Sequence, residues 1–283
     1  MNIDLSTLRS LLFVPATKIE KIGQVAQSGP DLIIIDLEDS VTVAEKDTMR
    51  QVVTTFFEEW EPTRYGSAIG VRINSVRSIG GLLDFLSIID TPTLPDAIML
   101  PKVDSVSEID LVADWMEDLD VLVPVIPIFE TLGVWDEIDE IMAHELVPCG
   151  VFGGIDLAAE LGSDRSWETM QLYRNLLLRA ARRSDKACLD MPWFDLNDND
   201  GLRSETLRLQ AMGYDGRVAI HPAQVHIIHD CFRPAEQAVS DARAMIEAFE
   251  KSDTGVATFK GKVVEKPVLM HAYKLIERAQ RFT

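Results

Sequence analysis

The sequence predicts a (β/α)8 TIM barrel with a C-terminal helical extension. Two features carry that prediction. Eight short, continuous apolar runs are each followed by a segment that is helical in character, and nearly every run ends on a charged or polar residue. A parallel strand buried on both faces reads as an unbroken apolar run, and alternation with helices is the pattern of a parallel sheet. Eight such units over about 220 residues fit a barrel, which typically needs roughly 250 residues. A doubly wound open sheet is the alternative. It would call for a glycine-rich phosphate turn after an early strand, and no GxGxxG follows any of them.

The apolar runs are Leu8–Val14, Leu32–Ile35, Ala68–Ile73, Ala97–Leu100, Val121–Ile128, Val147–Phe152, Ala187–Leu189 and Val218–Ile220. Helical spacing is clearest in Glu45–Trp60, Ser78–Ile89, Ser107–Met116, Val134–His144, Glu168–Ser184 and Gly201–Met212. Residues 1–233 form the predicted barrel. Residues 234–283 form an extension of two helices, Ala235–Lys251 and Pro267–Phe282, separated by Gly255–Glu265. This tail exceeds what a barrel needs and is expected to pack on it or across a subunit interface.

With Lys+Arg 27 against Asp+Glu 46 the net charge is −19, and no basic run is present. Nucleic acids and anionic membranes both require clustered cations, so neither is an expected partner. There is no run of about 18 apolar residues for a membrane span. The N-terminal residues lack the basic and apolar regions of a signal peptide. Cys149, Cys188 and Cys231 are an odd set without CxxC spacing and read as buried thiols. A cytoplasmic location is the resulting expectation.

In such barrels chemistry sits where strands end and βα loops begin. The strand ends supply Glu38 and Asp39 after Asp36, then Arg72, Lys102, Glu130, Asp156, Asp190 and His221. Several carboxylates facing one mouth repel unless a cation lies between them. A hard divalent ion such as Mg2+ is commonly held by one or two carboxylates, with water and substrate oxygens completing its shell. Glu130 and Asp156, on adjacent strands, are the natural pair. Arg72 offers a bidentate fork to a substrate carboxylate. Metal and arginine around a 2-oxo or 3-hydroxy acid suit the stabilisation of an enolate. Each residue also has a plainer reading. Asp156 can serve as a first-turn acid of its helix, Arg72 as an ion-pair partner of Glu38 or Asp39, and His221 as a loop anchor beside Pro222.

Six segments then carry a family likeness: Arg9–Pro15, Ile35–Val41, Val71–Asn74, Leu100–Val103, Asp156–Gly162 and Ala219–Gln224. In this order and spacing the chain resembles the citrate lyase β-subunit and malyl-CoA lyase branch of the HpcH/HpaI aldolase family, across nearly its whole length. The resemblance implies Mg2+ (or Mn2+) and a homotrimer or hexamer. It also implies cleavage of a 3-hydroxyacyl-CoA thioester, such as malyl- or citramalyl-CoA, into an acyl-CoA and a 2-oxo acid. On the same basis Glu130 and Asp156 match the metal ligands, and Arg72 matches the oxo-acid binder. Phe13 and Lys18 fall where relatives contact CoA. Glu38, Asp39, Lys102 and His221 are expected to support these groups, and Asp190 to bind substrate. Glu265 matches a tail acid proposed as the catalytic acid/base, acting across a subunit interface.

Four positions depart from the family pattern. Glu265 stands for Asp, Ala16 for Gly, Ile155 for an acid, and Met191 for the Gly after the strand-seven Asp. Met191 is expected to narrow or reshape the acyl pocket. Two further readings remain open: an aldolase acting on free 4-hydroxy-2-oxo acids, and a lyase subunit active only within a larger complex.

Overall fold

The computed structural model describes residues 4–62, 64–252 and 256–280. They fall into two compact units, Met1–His229 and Asp230–Thr283. The first is a closed barrel of eight parallel strands in sequential order. The strands are β1 (Ser10–Pro15), β2 (Leu32–Asp36), β3 (Ala68–Arg72), β4 (Ala97–Leu100), β5 (Val125–Phe129), β6 (Cys149–Phe152), β7 (Ala187–Asp190) and β8 (Gly216–Ala219). Each overlaps one of the apolar runs. The interior is filled by Leu11, Leu32, Ile34, Met99, Ile126, Val151 and neighbouring side chains. These Leu, Ile and Val positions leave almost no strand residue exposed, which is why the runs show no alternation. All three cysteines are buried.

Around the strands lie α1 (Ile22–Ala26), α2 (Lys46–Glu58), α3 (Ile79–Ile89), α4 (Val106–Asp118), α5 (Ile138–Ala143), α6 (Gly154–Leu161), α7 (Trp167–Arg183), α8 (Asn199–Met212) and α9 (Pro222–Phe232). Side-chain caps fix several starts. Ser78 accepts the Gly81 amide ahead of α3, Ser166 the Thr169 amide ahead of α7, and Asp198 the Gly201 amide ahead of α8. Such caps satisfy amides that the helix leaves without partners. A 3-10 segment, Ala16–Lys21, follows β1 and carries Lys18.

The second unit contains α10 (Glu236–Glu250), β9 (Ala257–Phe259), β10 (Lys262–Val264) and α11 (Lys266–Gln280). β9 and β10 pair antiparallel. Their turn is Lys260-Gly261, at φ +48° and +75°. Two positive φ values in a two-residue loop are the hallmark of the tight hairpin turn that glycine favours. The sequence reading treated this stretch as a plain separator, because three-residue strands are too short to show a period. Ala257, Val264 and Leu269 pack with Met245, Ile246, Phe249 and Phe259 to form the unit's own core. The predicted end of the last helix at Phe282 lies outside the described residues. Among those residues no helix is long and apolar enough to cross a membrane.

Candidate active site at the barrel mouth

The C-terminal ends of β2 to β6 bring together most of the predicted residues. Asp36 and Arg72 are direct partners in the β2–β3 register. Arg72 donates from Nε and Nη2 to the two Asp36 oxygens, both at 2.7 Å. Its remaining nitrogen, Nη1, faces Glu38 Oε2 at 3.0 Å and Asp39 Oδ2 at 3.6 Å. The guanidinium also lies over the Phe13 ring, 4.8 Å from its centroid. Phe13 therefore supports Arg72 from below, whatever else it touches. Burial alone would raise the Asp36 carboxyl, but the hydrogen bonds and charge of Arg72 outweigh it and hold the acid below its usual value. Asp36 also accepts the Glu38 and Ser40 amides, folding the loop that carries Glu38.

Glu38 is buried and reaches Lys102, whose Nζ donates to Oε1. Burial raises the Glu38 carboxyl, and the neighbouring Arg72 and Lys102 cations offset this only in part. Lys102 is unusual in its backbone, with φ +55°. A non-glycine residue in the left-handed region costs roughly 1–2 kcal/mol. The surroundings fix this conformation. The Lys102 amide donates to Glu130 Oε1 at 2.7 Å, and the Thr131 hydroxyl donates to the next carbonyl, Val103, at 2.8 Å.

Glu130, just past β5, is 3% exposed. Burial first, and then the negative charge of Asp156, push its carboxyl well above the ordinary range. Asp156 sits in the first turn of α6, half-buried, and lines the same cavity as Glu130. Two carboxylates facing one cavity repel unless a proton or a cation lies between them. The donor set therefore fits a hard divalent ion. Among the described residues no group of three or more His, Cys, Asp or Glu side chains is placed to enclose a metal. That leaves water and substrate oxygens to complete the shell, the arrangement Mg2+ favours.

Close packing makes room for this pair. A Cβ on Gly153 would lie 2.4 Å from Glu130 Cβ and 2.7 Å from Glu130 Oε2. Gly153→Ala is therefore expected to displace Glu130 and weaken divalent-metal affinity on the order of 10- to 100-fold, measured by calorimetric titration. Affinity equal to wild type would show that Glu130 is not held there for a metal. Beside the pair is a cavity of 320 Å3, whose walls include Ser75, Arg77, Lys102, Thr131 and Glu160. Arg77 was not anticipated. It sits in the β3–α3 loop, paired with Asp104.

Other predicted residues are placed differently. Asp190, expected at the substrate, is 0% exposed. Both its oxygens accept from Arg174, at 2.8 and 3.0 Å, and Arg217 lies 3.8 Å away. Asp190 thus neutralises buried arginines in the barrel wall and presents no atom to the mouth. Met191 is buried, and a Cβ on Gly154 would come within 2.7 Å of its sulfur, so it packs against the start of α6. His221 is exposed and accepts the Ala223 amide at Nδ1, capping the turn into α9. Lys18 is exposed next to a groove of 560 Å3 whose walls include Ile19, Gln51, Trp60, Arg64 and Tyr65. Ala16 is buried and Ile155 half-buried. Glu265, in the second unit, is exposed between β10 and α11, and its carbonyl accepts the Leu269 amide.

Comparison with known proteins agrees with the fold. A sequence profile of the HpcH/HpaI aldolase/citrate lyase family matches residues 9–222. A citrate lyase subunit beta-like protein of Deinococcus radiodurans is 33% identical over 284 residues, covering 98% of this chain and 99% of its own. A (3S)-malyl-CoA thioesterase of Cereibacter sphaeroides is 33% identical over 280 residues, covering 96% of this chain and 94% of its own. The CitE protein of Mycobacterium tuberculosis, solved with magnesium, acetoacetate and coenzyme A, aligns over 98% of this chain and 100% of its own. Its TM-score is 0.83 at 28% identity. The chain belongs to the HpcH/HpaI aldolase/citrate lyase family, whose members are enzymes of the aldolase and lyase type.

Proposed function

We propose that this chain is a Mg2+-dependent carbon–carbon lyase that cleaves a 3-hydroxyacyl-CoA into an acyl-CoA and a 2-oxo acid. Malyl- and citramalyl-CoA are the first candidates. The observation that carries the reading is the buried Glu130 carboxylate with the half-buried Asp156 across one cavity, in the same barrel mouth as the Arg72 fork. Glu130 and Asp156 would hold a divalent ion, which would supply Lewis-acid stabilisation of the developing oxyanion. The protein's own groups do the rest. Arg72 Nη1 takes the oxo-acid carboxylate, while Asp36 and the Phe13 ring fix the guanidinium plane. Glu265 is the proposed acid/base, which requires it to meet this mouth from its own chain or from a neighbouring copy in a homotrimer or hexamer. Lys18 is the proposed contact for the thioester's anionic end, and the groove beginning at the next residue, Ile19, offers the Phe56, Trp60 and Tyr65 rings and Arg64, with Glu20 and Glu59 also in its walls.

The M. tuberculosis CitE protein was solved with coenzyme A, which supports a thioester over a free 4-hydroxy-2-oxo acid. A relative named as a (3S)-malyl-CoA thioesterase makes hydrolysis the outcome to separate from cleavage. Product analysis with malyl- and citramalyl-CoA does so. The proposal expects an acyl-CoA and a 2-oxo acid in equal amounts, inhibited by free CoA. Free CoA and the intact hydroxy acid as products, or turnover only of thioester-free oxo acids, would overturn it.

A further inference from the structure

Lys102 hydrogen-bonds to both halves of the site, and it does so through different atoms. Its backbone amide donates to Glu130, and its ammonium donates to Glu38. Glu38 in turn faces Arg72 Nη1, and Asp39 lies near both cations. Arg72 has Nε and Nη2 committed to Asp36, which leaves Nη1 as the nitrogen that can receive a substrate carboxylate. At present Glu38 and Asp39 compete for it.

Charge counting shows what Lys102 contributes. Asp36, Glu38 and Asp39 oppose Arg72 and Lys102, a balance of −1 when all are ionised; without Lys102 it becomes −2. An anion approaching Arg72 would then meet a more negative wall in a partly desolvated site, where such terms are large. Glu38, freed from Lys102, would also bind Arg72 more tightly. Asp39, about half exposed at 55%, is the partner most easily exchanged for solvent or substrate.

We propose that Lys102 is a positioning residue acting through two separate atoms. Its left-handed backbone presents the amide that fixes Glu130 for the metal. Its ammonium takes one oxygen of Glu38 and offsets its charge, so that only the other oxygen faces Arg72 Nη1 and a 2-oxo acid carboxylate can replace it there. The proposal rests on the reading that Arg72 binds such a carboxylate.

Two substitutions separate the two roles. Lys102→Gly keeps the left-handed turn and the amide while removing the side chain, because glycine adopts positive φ without steric cost. Lys102→Met keeps the Cβ and the apolar stem but not the charge. Calorimetric titrations with Mn2+ and with pyruvate, together with KM and kcat for the cleavage reaction run in reverse, give the readouts. Both variants are expected to bind Mn2+ within about twofold of wild type while pyruvate affinity falls about tenfold or more. The loss should appear in the pyruvate KM with little change in kcat, and Lys102→Arg should restore most of it. Unchanged pyruvate affinity in both variants overturns the proposal. So does a loss of Mn2+ affinity in Lys102→Gly that matches its loss of pyruvate affinity, the mark of a merely structural role. A wild-type protein that binds neither Mn2+ nor pyruvate overturns the lyase reading and this proposal together.

Discussion

Glu130→Ala is expected to abolish turnover, and Asp156→Ala likewise, because each removes one of the two carboxylates proposed to hold the metal. If the Lewis acid contributes about 4 kcal/mol to the barrier, the loss is roughly 10^3-fold in rate. Metal titration should show the cause directly, with Mn2+ affinity lost in both variants. The isosteric Glu130→Gln tests the electrostatics more finely, since the Lys102 amide still finds an oxygen acceptor there. Glu130 has a folded-state pKa above its unfolded value, for reasons of burial and then Asp156. In the pH window between those two values the native state binds the extra proton, so this group's contribution to stability falls as pH rises through it. Metal-free Glu130→Gln should therefore melt higher than metal-free wild type at neutral pH, while being inactive. A variant that is inactive but less stable would point to simple misfolding instead.

The second large effect is one of stability. Arg174 and Arg217 are 0% exposed, and Asp190 lies between them with Glu205 as the other counter-charge. Arg174 is also sandwiched against Trp167, 4.5 Å from the ring centroid. Removing one partner of a buried ion pair leaves uncompensated charge and costs about 3–5 kcal/mol. Asp190→Ala is expected to lose that much in urea unfolding. At temperatures where it remains folded, its KM for substrate should match wild type. A loss below about 1 kcal/mol, within the range of exposed pairs, combined with a raised KM would return Asp190 to the substrate site.

Asp190 also shows where the sequence stops being legible. A strand buried on both faces is apolar throughout, so the first polar residue after it marks its end; Glu130, Lys102 and Asp156 were visible for that reason. Which of those residues faces the mouth depends on partners distant in sequence. Arg174 on α7 and Arg217 on β8 claim Asp190, and neither is signalled by the motif around it. Asp36 was overlooked as the fork partner of Arg72 because its pairing follows from the β2–β3 register, which no local pattern encodes. The packing of Met191 against Gly154 is likewise invisible locally, because the glycine that leaves space for the sulfur lies on a different element. Arg77 and the left-handed Lys102 belong to loops whose sequences carry no periodic signal.

The most direct test of the central claim is release of a 2-oxo acid from malyl-, citramalyl-, methylmalyl- and citryl-CoA, with Mg2+ and with chelator. Release from one of these thioesters that chelator stops and Mg2+ restores is the predicted result, and it would identify the substrate. Release that persists undiminished with chelator would contradict a metal-driven cleavage at Glu130 and Asp156. Silence across the panel with metal bound would contradict the substrate class.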